Sequence, residues 1–105
     1  MKEITVQELK KKIDNKEDFQ LIDVRELHEY EIVNIGGDLI PVGSILNQAD
    51  KISRDKMVII YCRSGNRSGA AIQALEKQQG FTNLFNLKGG ILAYAKEVDN
   101  SLPVF

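Results

Sequence analysis

The residues whose types and spacing favour chemistry lie around Cys62, the only cysteine of the chain. An apolar run, 58–61, ends at Cys62, and a helical pattern begins at Ser68; the polar loop between them consists of Arg63, Ser64, Gly65, Asn66 and Arg67. In a strand, loop and helix of this order, successive loop N–H groups and the helix N-terminus point at one sulfur. The arginines add positive charge, and the serine hydroxyls are further donors. The segment therefore predicts a cysteine of lowered pKa and a place to hold an anion.

A purely structural role for Cys62 is the simplest alternative. A lone cysteine at the end of an apolar strand is often a small core residue. However, a core cysteine does not call for two arginines and two serines within the next six residues. Gly65 and Asn66 also tolerate the positive φ that an anion-binding loop needs. We therefore interpret Cys62 as a nucleophile whose loop activates it and binds an anionic substrate or leaving group.

The spacing from Cys62 to Arg67 distinguishes two kinds of chemistry. Cysteine-dependent phosphatases resemble this arrangement but carry Cys-x5-Arg, whereas this chain has Cys-x4-Arg. A loop that is one residue shorter leaves less room for a tetrahedral phosphate beside the sulfur. It better suits a single extra sulfur atom bonded to Cys62.

Length and composition exclude several other classes. The 105 residues, 43% of them apolar, predict one compact domain, 1–105. A net charge of −1 gives no basic field for nucleic acid. We find no apolar run of membrane-spanning length and no signal-peptide pattern, and we expect a cytoplasmic protein with a reduced thiol. With one cysteine and one histidine, we expect neither a disulfide nor a metal site, and no cofactor.

Strand-like and helical segments alternate along the whole chain. The predicted strands lie near Ile4 and at 19–24, 38–41, 56–61 and 84–87. The predicted helices lie after the Thr5 cap and at 26–32, 44–49, 68–79 and 91–97. Such alternation indicates an α/β fold with a parallel sheet and helices on both faces.

Three motifs, in order, resemble those of the rhodanese family of sulfurtransferases. One is the loop that follows Cys62. Residues 23–30 are similar to the family's Asp-Val-Arg-x-x-x-Glu-[Phe/Tyr] segment, and residues 87–94 to its Leu-x-Gly-Gly-x-x-x-Trp segment. The motifs span residues 23–94, and the length suits a stand-alone single-domain member of the family.

The resemblance implies a rhodanese-like three-layer sandwich with a five-stranded parallel sheet. It implies that Cys62 takes a sulfane sulfur from a donor such as thiosulfate, becomes a persulfide, and passes the sulfur to cyanide or a thiol. The amides of 63–67 would cradle the persulfide, and Arg63 and Arg67 would favour an anionic donor. In the family, Asp23 and Arg25 support the site, and we interpret them as a buried ion pair or a cap rather than as reacting groups.

Two departures from the family pattern and three alternatives accompany this prediction. The stretch 33–38 lacks the family's histidine, His28 lies elsewhere and is interpreted as a surface residue, and Tyr94 replaces a tryptophan.

The main alternative function is a persulfide carrier that serves a protein partner in a sulfur relay. A small phosphatase and an arsenate reductase are less favoured because of the loop length. The apolar tail, 102–105, is predicted to dock on the core or on a partner.

Overall fold

The structure, a computed structural model, describes residues 1–103. Its strands are β1 (Glu3–Ile4), β2 (Gln20–Asp23), β3 (Asp38–Leu39), β4 (Val58–Tyr61) and β5 (Leu84–Leu87). Its α-helices are α1 (Val6–Asp14), α2 (Leu27–Ile32), α3 (Asn66–Gln79) and α4 (Gly90–Glu97). Two short 3-10 turns, Val42–Ser44 and Ala49–Lys51, lie between β3 and β4.

The strands form one sheet in the order β1-β5-β4-β2-β3, and every pairing is parallel. This confirms the predicted five-stranded parallel sheet. Strand β4 is central, with β2 on one side and β5 on the other. In this register Ile60 lies beside Ile22 of β2 and beside Asn86 of β5. Residues that follow these strands therefore meet at one edge of the sheet.

The alternation of side chains along β4 defines two core layers. Val58 and Ile60 face the layer that contains the buried side of α3, and Cys62 continues that row. Ile59 and Tyr61 face the opposite layer, to which α1 and α4 contribute. Both faces of this central strand are covered by helices, which explains its uninterrupted apolar sequence.

The N-terminal cap of α1 forms as predicted. Thr5 Oγ1 accepts a hydrogen bond from the Glu8 N–H at 3.1 Å, and Glu8 Oε1 accepts one from the Thr5 N–H at 3.0 Å. Val6 and Leu9 are buried, whereas Ile13, four residues beyond Leu9, is 37% exposed. The packed face of α1 thus ends before its last turn.

The predicted helix at 44–49 is wrong. The chain instead makes the two 3-10 turns, which place Ile45, Ala49 and Ile52 in the core. A helix of six residues gains few internal hydrogen bonds against its nucleation cost, so burial of these apolar anchors decides the backbone.

Several further boundaries differ from the predicted ones by one or two residues, among them those of the longest helix and of the third strand. Helix α3 begins at Asn66 rather than at Ser68, because Gly65 has a φ of +108° and its carbonyl accepts from the Gly69 N–H at 3.1 Å. The third strand is shorter than 38–41 and ends at Leu39.

Leu102 packs against the layer of α1 and α4, while residues 104 and 105 of the predicted docking tail lie outside the described residues. None of the helices formed by residues 1–103 has the length and apolarity needed to cross a bilayer.

Candidate active site

Cys62 lies immediately after the carboxyl end of β4 and is 1% exposed. A short loop turns from it into α3, as the sequence predicts, although this helix begins two residues earlier than expected. Ser68 therefore lies in the first turn of α3, not at its start. This placement turns its hydroxyl back toward the cysteine.

Donors from the loop and from α3 surround the Cys62 sulfur. The Gly65 N–H donates to Sγ at 3.1 Å, and Ser68 Oγ lies 3.2 Å from Sγ. Burial raises the pKa of the Cys62 thiol, but the Ser68 hydroxyl and nearby backbone N–H groups outweigh it. The pKa is therefore lowered from its ordinary value. The N–H groups that contribute belong to Ser68, Gly65 and Ser64.

The left-handed backbone at Gly65 allows this arrangement. At a φ of +108° the residue turns its N–H toward the sulfur, and only glycine adopts that conformation without strain. Asn66, the other residue expected at positive φ, instead opens α3 in helical conformation and is exposed. Arg63 and Ser64 are also exposed, at the rim of the loop.

Asn86 of β5, which is not among the predicted site residues, supports the loop through two hydrogen bonds. Its Nδ2 donates to the Gly65 carbonyl at 3.1 Å, and its Oδ1 accepts from the Ser68 hydroxyl at 2.6 Å. The side chain is 4% exposed. The only signal in the sequence is an amide within the otherwise apolar strand Leu84–Leu87.

The start of α4 binds the backbone of the loop from a second direction. The Ile91 N–H donates to the Cys62 carbonyl at 2.9 Å, and the Leu92 N–H donates to the Arg63 carbonyl at 3.1 Å. A Cβ at Gly90 would lie 2.4 Å from the Arg63 carbonyl oxygen, so no larger residue fits there. Because N–H groups of α4 donate to these loop carbonyls, the carbonyls do not bond to the loop's own N–H groups, which face the Cys62 sulfur instead. This gives the motif at 87–94 a physical role.

Arg67 forms a bidentate ion pair with Glu29 of α2. Its Nη1 donates to Oε1 at 2.7 Å and its Nη2 donates to Oε2 at 2.9 Å. The hydrogen bonds from Arg67 lower the pKa of Glu29 to about 2. Arg67 therefore joins α3 to α2, and a carboxylate offsets the positive charge that the sequence places near Cys62.

Asp23 and Arg25 form the predicted buried ion pair. Arg25 Nη2 donates to Asp23 Oδ2 at 2.7 Å, with side-chain exposures of 3% and 0%. The Arg25 N–H and Nε also donate to Asp23, and Nη2 donates to the Val33 carbonyl at 2.7 Å. The pair ties the end of β2 to the segment after α2, and so positions the helix that carries Glu29.

A cavity of about 220 Å³ borders the loop at Arg63, and Ile91 of α4 also lines it. Its other lining residues are Arg25, His28, Glu29, Ile32, Val33 and Pro103. His28 is exposed, as predicted, and lies at this cavity. A larger concavity of about 720 Å³ lies beside α1 and contains no residue of 62–68. The larger concavity is therefore separate from the Cys62 loop, whereas the smaller cavity adjoins that loop at Arg63.

Residues 1–103 hold no group of three or more His, Cys, Asp or Glu side chains placed to bind a metal ion. What the site offers is one buried sulfur with lowered pKa, a set of N–H and O–H donors around it, and an adjoining cavity lined by both apolar and charged side chains. Such a site suits nucleophilic attack by sulfur and stabilisation of an anion on that sulfur.

The chain belongs to the rhodanese-like domain family, whose model matches residues 5–97. A sulfurtransferase from Allochromatium vinosum is 37% identical over 103 residues, covering 97% of this chain and 92% of that protein. The putative sulfur carrier protein YrkF of Bacillus subtilis is 36% identical over 90 residues, which cover 85% of this chain. The chain spans 48% of YrkF, 26% of one longer relative and 63% of another.

The fold agrees with a solved structure of the same family. The crystal structure of a rhodanese-like domain protein from Staphylococcus aureus matches with a TM-score of 0.82 and 30% sequence identity. The match covers 93% of this chain and 95% of the other.

Proposed function

We propose that this protein is a sulfurtransferase in which Cys62 carries a sulfane sulfur as a persulfide. The observation that carries the proposal is the Cys62 sulfur, buried at the end of β4 and facing the Gly65 N–H at 3.1 Å and Ser68 Oγ at 3.2 Å. Hydrogen bonds to a thiolate stabilise it, and the loop N–H groups serve a persulfide anion in the same way. The family and the sulfurtransferase from A. vinosum support the same chemistry.

In the loading step, the Cys62 thiolate attacks the outer sulfur of thiosulfate or a similar donor. A bond forms between the two sulfurs, the sulfur–sulfur bond of the donor breaks, and sulfite leaves with the electron pair. The step needs a thiolate and no general base. The hydrogen bonds that lower the pKa of Cys62 therefore supply the reactive form of the nucleophile.

In the unloading step, cyanide or a thiolate attacks the outer sulfur of the persulfide. The new bond forms at that sulfur, and Cys62 leaves as a thiolate. The donors that stabilise the nucleophile in the first step stabilise the leaving group in the second. We assign substrate binding to the loop residues around the transferred sulfur: Arg63, Ser64, Gly65, Asn66, Arg67 and Ser68. Arg67 contributes its backbone N–H, because Glu29 holds its guanidinium.

A persulfide carrier is the second candidate function. The name of YrkF, a putative sulfur carrier protein, favours it. A carrier would receive sulfur from a protein donor such as a cysteine desulfurase and would turn over free thiosulfate poorly. Comparing the two donors at equal concentration decides between the candidates: loading by the protein donor alone selects the carrier.

Phosphoryl transfer is a weaker candidate for this site. A phosphate monoester carries two negative charges and needs a guanidinium that is open to it. The Arg67 guanidinium is instead bound by both carboxylate oxygens of Glu29. Together with the short Cys-x4-Arg loop, this disfavours a phosphatase or an arsenate reductase. Hydrolysis of an aryl phosphate that depends on Cys62 would reverse this ranking.

We also propose that residues 1–105 form one domain and that the protein acts in a reducing compartment such as the cytoplasm. A persulfide cysteine functions as a free thiol between cycles, and reducing compartments keep such thiols unoxidised.

Mass spectrometry of the intact protein tests the proposal directly. After incubation with thiosulfate and removal of the donor, the wild-type mass should increase by one sulfur atom, and added cyanide should remove it as thiocyanate. Cys62→Ser should show neither event, while Asp14→Asn, a change at an exposed carboxylate of α1, should still load. A wild-type mass that neither thiosulfate nor a protein persulfide donor changes would refute the proposal.

A further inference from the structure

The orientation of the Asn86 amide is determined by its two partners. Its Nδ2 lies 3.1 Å from the Gly65 carbonyl oxygen, which can only accept a hydrogen bond. With the amide turned the other way, two oxygens would face each other at that distance. The nitrogen therefore faces Gly65, and Oδ1 faces the Ser68 hydroxyl at 2.6 Å.

The Ser68 hydroxyl has one proton and two neighbours. Since Asn86 Oδ1 is an acceptor, the short contact at 2.6 Å requires the Ser68 proton. Ser68 Oγ is then an acceptor toward Cys62, whose S–H donates across the 3.2 Å contact. With Cys62 as a thiol, the protons run in one direction, from Cys62 to Ser68 and from Ser68 to Asn86.

Ionisation of Cys62 breaks this order. The thiolate accepts hydrogen bonds and donates none, so both Sγ and Asn86 Oδ1 now require the single Ser68 proton. Each lies in a residue that is at least 96% buried, since Cys62 is 1% and Asn86 is 4% exposed. Whichever of the two acceptors the Ser68 proton bonds, the other is buried without that donor, and this raises the free energy of the thiolate form.

We propose that Asn86 is a positioning residue that restrains ionisation of Cys62 by competing with its sulfur for the Ser68 proton. If Cys62 transfers sulfur as proposed above, Asn86 and Ser68 take part in each step of that transfer. In the persulfide the negative charge lies on the outer sulfur. Sγ then no longer needs a hydrogen-bond donor, so the Ser68 hydroxyl can donate to Asn86 again. When the acceptor removes the outer sulfur, Sγ becomes a thiolate and the competition resumes. Asn86 thus favours the loaded form over the free thiolate.

The competition predicts a specific effect on the pKa of Cys62. Asn86→Leu keeps the approximate size of the side chain and removes its acceptor, so Ser68 donates to the thiolate alone. We expect the pKa of Cys62 to fall by about one unit, a tenfold change in the ionisation equilibrium. It is measured from the pH dependence of alkylation by iodoacetamide and from thiolate absorbance, without any sulfur donor.

A double-mutant cycle with Ser68→Ala separates this effect from others. Without the Ser68 hydroxyl, Asn86 no longer competes with the sulfur for a proton, and Asn86→Leu should then shift the pKa of Cys62 by less than about a third as much. An equal shift in both backgrounds would assign the effect to the lost Gly65 contact and overturn the proposal. An unchanged or raised pKa in the single variant would overturn it as well.

The charged groups near Cys62 remain the same throughout the cycle. They are Arg67 of α3 with its partner Glu29 of α2, the Asp23–Arg25 pair at the end of β2, and Arg63 at the rim of the loop. Their Coulombic effect on Cys62 is therefore common to all four proteins and cancels in the comparison.

A second measurement needs only the wild type and Ser68→Ala, in case Asn86→Leu does not fold. The NMR signals of the Asn86 side-chain amide should shift as Cys62 ionises, because Oδ1 shares or loses its proton donor. In Ser68→Ala this shift should fall by at least about half; an undiminished shift would overturn the proposal. Neither measurement uses sulfur transfer, so failure of persulfide formation and failure of this inference remain distinguishable.

Discussion

The ion pair between Arg67 and Glu29 makes one prediction that can be worked out in detail. Glu29→Gln keeps the shape of the side chain and removes its charge. The pKa of Glu29 falls from 4.5 to about 2, chiefly through the hydrogen bonds from Arg67. In a fully buried setting this difference corresponds to about 3 kcal/mol. The Arg67 side chain is 36% exposed, so solvent screening reduces the expected loss of stability to about 1 kcal/mol.

The pH dependence of this loss has a definite sign. A carboxyl whose pKa is lower in the folded state stabilises the fold above its unfolded pKa of 4.5 and loses that contribution as pH falls toward about 2. The free energies of unfolding of wild type and Glu29→Gln should therefore differ by a constant amount above about pH 5.5 and converge between about pH 4.5 and pH 2.

Urea denaturation at about pH 7 and about pH 3 measures this difference. Asp14→Asn is the matched control, because the Lys10–Asp14 pair has side-chain exposures of 47% and 54%. An exposed pair of this kind contributes at most a few tenths of a kcal/mol, so the control should stay close to wild type. A difference between wild type and Glu29→Gln that is the same at both pH values would refute the reasoning.

Three further changes probe the supports of the loop. Asp23→Ala leaves Arg25 buried without its partner and should destabilise the fold by about 3–5 kcal/mol, measured by urea denaturation; a loss below about 1 kcal/mol would contradict the buried pair. Gly90→Ala puts a Cβ 2.4 Å from the Arg63 carbonyl oxygen at a φ of +61°, so it should cost at least about 2 kcal/mol and disturb the Cys62 loop. Alkylation of wild-type Cys62 should follow a pKa below that of a free cysteine peptide, while Ser68→Ala should move it upward; identical pH profiles would contradict the role of the hydroxyl.

Local patterns in the sequence predict most of the elements that carry the site. The apolar run before Cys62 forms β4, the Thr5 cap opens α1, and Gly80 ends α3 with a φ of +69°. These features depend on neighbouring residues, which a sequence displays directly. The helix predicted at 44–49 is wrong because the packing of Ile45 and Ala49 in the core decides the conformation of this segment. Its own helical preference does not.

The surroundings of Cys62 combine short-range and long-range contributions. Gly65 and Ser68, within six residues of the sulfur, are evident from the strand–loop–helix order. The partner of Ser68 lies 18 residues away in β5, and the partner of Arg67 lies 38 residues away in α2. Nothing in the local pattern pairs these residues, because their proximity arises from the order of strands in the sheet.

By itself, the sequence determined the family, the parallel α/β class and the identity of the candidate nucleophile. Each of these depends on residue types at short, characteristic spacings. Only the tertiary structure decided how the charges and protons around Cys62 are shared. It placed Glu29 on Arg67 and Asn86 under Ser68, and hydrogen bonds of this kind depend on distances of about 3 Å between segments that folding brings together.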